Sequence, residues 1–105
     1  MSMSAPTRDQ TIERLLAAET EIRQLGVQRL ALFGSVARGE ARPDSDVDLL
    51  VEFSPGKKSF DRFMALCDLL ERVLGHPVEV VTVEALSPFI GPHILAEAAD
   101  VLRAA

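Results

Sequence analysis

The chain has a single cysteine, Cys67, and so no means of closing a disulfide within itself; set in an apolar, helix-spaced stretch, that thiol reads as buried and inert. No apolar run approaches the length that spans a bilayer, and Met1 to Pro6 lacks the charged and then apolar stretches of a secretory signal, so a cytoplasmic protein is expected. No stretch is low-complexity or repetitive, and 105 residues with ordinary proline and glycine leave room for one core. The domain is expected over 7–105, with 1–6 as a flexible lead-in, and a second domain that would seat a tRNA does not fit. Positive charge is scarce as well. Eleven Lys and Arg stand against 16 Asp and Glu, a formal net charge of -5. Affinity for nucleic acid comes from neutralising phosphates, so this balance argues against a standing nucleic-acid groove.

What is present is a regular alternation of elements. Thr7 with Gln10 forms a capping box, and Ile12, Leu15, Leu16, Ile22 and Leu25 recur at helical spacing until Gly26. Val27 to Phe33 is a short apolar strand closed by Gly34-Ser35. From Val36 to Ser45 the residues are small, charged or turn-forming, which predicts one helical turn and then a loop through Pro43. Val47 to Phe53 is a second strand. After the turn Ser54-Pro55-Gly56, a helix carries Phe60, Phe63, Met64, Cys67, Leu70 and Leu74 on one face and ends at Gly75. Val78 to Val83 is a third strand, and Ile94, Leu95, Ala98 and Leu102 predict a last helix with Pro92 in its first turn. The fold class is α/β (α+β), a small mixed sheet backed by helices in the order α-β-β-α-β-α.

The connections place the chemistry. Ten residues between Ser35 and Asp46 are too few for a helical crossover, so the first two strands run antiparallel and bring Gly34-Ser35 beside Asp46-Val47-Asp48. A helix joins the second strand to the third, which predicts a parallel crossover and sets Glu79 on the same rim. Alternation along the strand points Asp46 and Asp48 to one face. Two like charges that close are costly alone and favourable around a cation, and Mg²⁺, which takes a few carboxylate oxygens plus water and phosphate, suits them. Gly34 allows close approach of backbone to a phosphate, and Ser35 offers an amide and a hydroxyl. Arg38 and Arg42, and beyond them Lys57 and Lys58, are candidates for contact with polyphosphate or with leaving pyrophosphate; the arginines read equally well as solvated loop charges. Asp44, Asp46 and Asp48 copy the opening of a calcium loop, but Leu49 stands where that loop needs Gly and Pro55 where it needs Glu. His76 and His93 have no metal-ligand companion at useful spacing and read as structural or solvent-facing.

Gly34-Ser35, the stretch Val36 to Ser45 and Asp46-Val47-Asp48-Leu49 together resemble the signature of minimal nucleotidyltransferases, the MNT group of the DNA polymerase beta superfamily. The resemblance extends to Ser54-Pro55-Gly56, to Val78-Glu79-Val80-Val81-Thr82, to Ala85-Leu86-Ser87-Pro88 and to Ile94-Leu95-Ala96-Glu97-Ala98. It implies a nucleotidyltransferase fold, ATP with two Mg²⁺ ions, and transfer of AMP to an acceptor hydroxyl. By the same resemblance Gly34 and Ser35 hold the triphosphate, and Asp46 and Asp48 are catalytic metal ligands. Short stand-alone members resemble antitoxins that pair with HEPN-domain ribonuclease toxins and adenylylate a toxin tyrosine, so a hetero-oligomer with such a toxin is expected. The third carboxylate of the family is usually Asp; here Glu79 stands there. Its extra methylene shifts the carboxylate by about one bond, and a misplacement of order 1 Å costs roughly 10²-fold in rate. Two other functions are compatible with these residues: an antitoxin that neutralises its partner by masking alone, and the catalytic subunit of a small-molecule nucleotidyltransferase.

Overall fold

The computed structural model describes residues 5–103. Of the expected lead-in, residues 1–4 lie outside the described residues, and Pro6 is already buried; at the other end of the expected domain, 104–105 also lie outside. Thr7 caps α1 (Arg8–Ala17) through the reciprocal box with Gln10, Thr7 Oγ1 accepting from the Gln10 N–H and Gln10 Oε1 accepting from the Thr7 N–H. The single first helix expected from periodicity is two: Ala18 interrupts it, and α2 (Glu19–Gln24) follows. Residues 15 to 22 are mostly good helix formers, so no local signal marks the break. Leu15, Ala18 and Ile22 nevertheless share one buried stripe, and Leu16 stays exposed.

The chain continues through β1 (Val27–Phe33), the single-turn α3 (Gly34–Arg38), β2 (Val47–Phe53), α4 (Phe60–Leu74), β3 (Val78–Thr82), a 3₁₀ turn (Val83–Ala85), α5 (Gly91–Glu97) and β4 (Ala99–Leu102). The sheet has four strands in the order β3-β2-β1-β4. β1 and β2 are antiparallel, with Phe33 opposite Asp48, and β2 and β3 are parallel, with Asp48 beside Glu79. Both orientations are those the connection lengths predict.

β4 corrects the expected last helix. α5 stops at Glu97, Ala98 turns extended at φ -64° and ψ 130°, and Ala99–Leu102 pairs antiparallel with β1. Without β4 the first strand would present a bare edge. Satisfying that edge outweighs the helical preference of a short Ala-rich run. Leu102, expected on a helix face, is instead buried in the main core.

One face of the sheet holds that core: Leu30, Leu32, Val47, Leu49 and Val51 pack against Leu15, Ile22 and the inner side of α4. The buried side of α4 is Leu66, Leu69, Leu70 and Leu74, a rotation from the expected face; Phe60 and Met64 are exposed. Cys67 is half-buried and free, and burial, then Glu71 and Asp68, push its thiol pKa up, which keeps it protonated and unreactive. The other face carries a smaller cluster, Ala31, Phe33 and Leu50, covered by Val81, Val83, Leu86, Ile94 and Ala98. That second cluster carries α5 toward the strand ends where the acids lie. No described helix is long and apolar enough to cross a membrane.

Candidate active site

β1 ends at Phe33 and the backbone turns at once into α3. Gly34 makes that turn with φ +77°, in the left-handed region that favours glycine. It also faces Asp48 closely: a Cβ at Gly34 would lie 2.0 Å from Asp48 Oδ2 and 2.8 Å from its Cγ. The two halves of the motif are therefore in direct contact, and only a residue without a side chain fits between them. Ser35 follows in the first turn of α3, half-buried, where helix N–H groups have no acceptor within the helix.

The acids come from two strands. Asp48 sits in β2 directly across from Phe33 and directly beside Glu79 of β3, so neighbouring strands put both carboxylates on one face. Val47 and Leu49, which alternate with them, are fully buried on the other face. Asp46, just ahead of β2, and Glu79 are exposed, and Asp48 is half-buried. The Asp48 carboxyl is pushed up to about 6, first by burial, then by the charge of Glu79 and a hydrogen bond with it, and by Asp46; Arg38 acts in the opposite sense. Glu79 and Asp46 are thus both felt at Asp48, at a centre with excess negative charge.

The loop into Asp46 is braced rather than loose. The Glu40 N–H donates to Ser35 O at 2.8 Å, the Arg42 N–H to Ser45 Oγ at 2.9 Å and the Ser45 N–H to Arg42 O at 2.9 Å. From the start of β3, His76 Nε2 donates to Ser45 O, and Pro77 O accepts the Val47 N–H at 3.0 Å. His76 is thereby a structural brace of the residue next to Asp46. His93, in the first turn of α5, is exposed.

The four basic candidates divide. Arg38, the last residue of α3, is half-exposed and paired: its Nε lies 3.2 Å from Glu40 Oε2 and its Nη1 bonds Glu97 at the end of α5. The hydrogen bonds to Glu97 and then to Glu40 raise its pKa further. Arg42 is exposed, with no ion pair among the described residues. Lys57 and Lys58 follow the far end of β2, and Lys58 pairs with Glu84 past the end of β3, 3.6 Å away. A seven-residue strand spans roughly 23 Å, so the structure removes both lysines from the site. Glu97 is the residue that sequence reading missed. It lies 59 positions from its partner Arg38, and nothing local in Ile94-Leu95-Ala96-Glu97-Ala98 announces the pair.

Among the described residues no three carboxylate, imidazole or thiol groups form a ready-made metal cage. Mg²⁺ does not need one, because it is held by one or two carboxylates with substrate phosphates and water. Asp48, crowded by Glu79 and Asp46 beneath a missing side chain, fits such an ion. The raised pKa fixes a sign that can be measured. With the folded value about 6 and the unfolded value near 3.9, the native state binds the extra proton, so this group lowers stability as pH rises from about 4 through 6. An Mg²⁺ ion bound at Asp48 would remove that penalty. Melting curves are expected to show Mg²⁺ raising Tm more at pH 7.5 than at pH 5, and the Asp48→Asn variant is expected to lose the difference; equal shifts at both pH values would disconnect Asp48 from the ion.

A Gly-Ser turn touching an acidic strand pair on an antiparallel β1–β2 unit, with β3 added in parallel, is the arrangement expected of a nucleotidyltransferase. The sequence matches the family described as nucleotidyltransferase domain over residues 15–101. The chain belongs to that family, as a minimal nucleotidyltransferase. A candidate protein adenylyltransferase of Methanocaldococcus jannaschii is 47% identical over 77 residues, 73% of this chain and 82% of that one. Protein adenylyltransferase MntA of Thermococcus cleftensis is 41% identical over 88 residues, 82% of this chain and 88% of its own length. Among solved structures, a candidate minimal nucleotidyltransferase superposes with a TM-score of 0.79 at 37% identity, covering 90% of this chain and 95% of that one. Two more distant likenesses are of fold. One is a toxin–antitoxin structure with AMP-PNP, TM-score 0.70, 18% identical, covering 88% of this chain and 73% of that one. The other holds a tri-AMPylated Shewanella oneidensis HEPN toxin with its MNT antitoxin, TM-score 0.64, 15% identical, covering 92% and 73%.

Proposed function

We propose that this protein is an Mg²⁺-dependent protein adenylyltransferase, an antitoxin that moves AMP from ATP to a hydroxyl, a tyrosine in the first instance, of a HEPN toxin in the cytoplasm and so neutralises it. The observation that carries the reading is the contact between the Gly34 turn and Asp48, which joins an anion seat to an acidic pair with no room for another side chain. The adenylyltransferase names of its relatives and the AMP-PNP and AMPylated-toxin complexes among its fold neighbours support the nucleotide and the partner.

In this reading Gly34 and Ser35 seat the triphosphate through backbone N–H groups and the Ser35 hydroxyl, and Arg38 and Arg42 neutralise its outer charge. Asp46, Asp48 and Glu79 would hold Mg²⁺, two ions in all, which supplies charge neutralisation at the phosphates. Glu79, exposed to an incoming acceptor, also takes the hydroxyl proton. The acceptor oxygen bonds to the α-phosphorus, the bond from that phosphorus to the bridging oxygen breaks, and pyrophosphate leaves. Most of the rate comes from positioning and charge, as in other phosphoryl transfers.

The test is to seek a reading frame for a small HEPN protein beside that of this chain and to take the intact mass of its product after incubation with this protein, ATP and Mg²⁺. A gain of one or more AMP units on the toxin, lost with chelator, is the expected result. An unmodified toxin that is inhibited without ATP would leave masking as the function, and AMP found on a small molecule would make the chain a subunit of a different transferase.

A further inference from the structure

We propose that Glu97, the last residue of α5, is a positioning residue for the nucleotide: it holds the Arg38 guanidinium at the acidic rim so that a phosphate meets it already oriented. The inference rests on the nucleotide-binding reading above and adds to it a residue outside the motif. Arg38 closes the single-turn α3, four residues after Gly34, and Gly34 lies directly against Asp48, so the guanidinium stands one helical turn from the acids. A guanidinium has five N–H donors in a rigid plane. Glu40 takes the Nε edge and Glu97 takes Nη1, which fixes that plane; Nη2 has no partner among the described residues.

The two carboxylates are not equivalent. Glu40 is two residues from Arg38 in a surface loop, 67% exposed, and an exposed pair of this kind contributes little. Glu97 is 29% exposed and stands on a helix that the second apolar cluster fastens to the sheet through Ile94 and Ala98, against Ala31, Phe33 and Leu50. Phe33 and Leu50 bracket Asp48, as its cross-strand partner and its neighbour two along β2. The element that carries Glu97 is thus packed on the residues that position the acids, so Arg38 and Asp48 share one support.

The sign of the effect separates positioning from plain electrostatics. A carboxylate near a triphosphate repels it, so if Glu97 acted only by its charge, its removal would tighten nucleotide binding. If it orients Arg38, removal weakens binding. Affinity for Mg²⁺–AMP-PNP, read by calorimetry, needs no acceptor and is measured for the whole chain as wild type, Glu97→Ala, Glu97→Gln, Arg38→Ala and the double variant Arg38→Ala/Glu97→Ala. Glu97→Ala is expected to weaken binding about tenfold, the scale of one misplaced charge-assisted contact. Glu97→Gln, whose amide oxygen still accepts from Nη1, is expected to recover most of it. The double variant is expected to bind no worse than Arg38→Ala, because Glu97 acts through Arg38. Unchanged or tighter binding by Glu97→Ala, or losses that multiply in the double variant, would overturn the assignment. Wild type that binds AMP-PNP but transfers nothing would sink the transferase reading alone; wild type that does not bind it would sink both.

Discussion

Gly34→Ala is expected to lose both transfer and stability, and far more of both than Gly39→Ala. Two costs add. The left-handed conformation at φ +77° costs a non-glycine residue about 1–2 kcal/mol. The new methyl would also lie 2.0 Å from Asp48 Oδ2 and 3.0 Å from its Cβ, so rotating the carboxylate away does not clear it. Asp48 is held between Phe33 and Glu79 in the middle of three paired strands and cannot retreat without shifting the strand. With about 1–3 kcal/mol for the overpacking added, the loss is roughly 3 kcal/mol, and a fall in Tm of about 15 °C is expected in a domain of this size. Transfer is expected to drop by at least about 10²-fold, because the displaced group is the one the proposed chemistry would use. Gly39 is the control: it has φ +74° with nothing within 4 Å of an added Cβ, so Gly39→Ala carries the backbone strain without the collision. Thermal melts and the mass assay on both variants check the point. Equal behaviour of the two would mean that the contact with Asp48 is of no consequence.

Asp48→Asn is expected to separate activity from stability in the opposite direction. Transfer should fall on the order of 10³-fold or more, the upper range for deleting one group that stabilises a transition state. Stability without metal at pH 7.5 should rise. The carboxylate there is ionised against burial, Glu79 and Asp46, and an amide of the same shape removes the repulsion while donating to Glu79. Asp46→Asn should lose transfer comparably but change Tm little, because Asp46 is exposed and lies outside the strand. Transfer that survives in both variants, or an Asp48→Asn protein that melts lower than wild type in chelator at pH 7.5, would contradict this account.

The division between what could and could not be read from the chain has a physical basis. Local signals are sufficient where the determinant is local: the capping box at Thr7 and Gln10, the ten-residue connection that forces β1 and β2 antiparallel, and the alternation that sets Asp48 against Val47 and Leu49. They fail where a distant partner decides. Ala99–Leu102 has helical spacing, but the bare edge of β1 claims it as a strand. The apolar residues of α4 occupy more than one face, so Phe60 and Met64 are as apolar as Leu66 and Leu69, and only packing on the sheet selects the buried set. Lys57 and Lys58 looked near the site by count along the chain, yet a whole strand length intervenes. Arg38 is legible as a charge near the motif; Glu97, which pairs with it, lies 59 positions further along the chain.

The alternation in β2 also guards the protein against misassembly. Sliding β2 by one residue against its neighbours would turn Asp48 into the leucine-rich layer and carry Val47 and Leu49 out of it to the opposite face, reversing every side chain at once. Ionised acids in that layer would be prohibitively desolvated. The same acidic side chains that would serve catalysis therefore act as a ratchet on strand alignment, and a chain that folds at all folds with its acids facing outward.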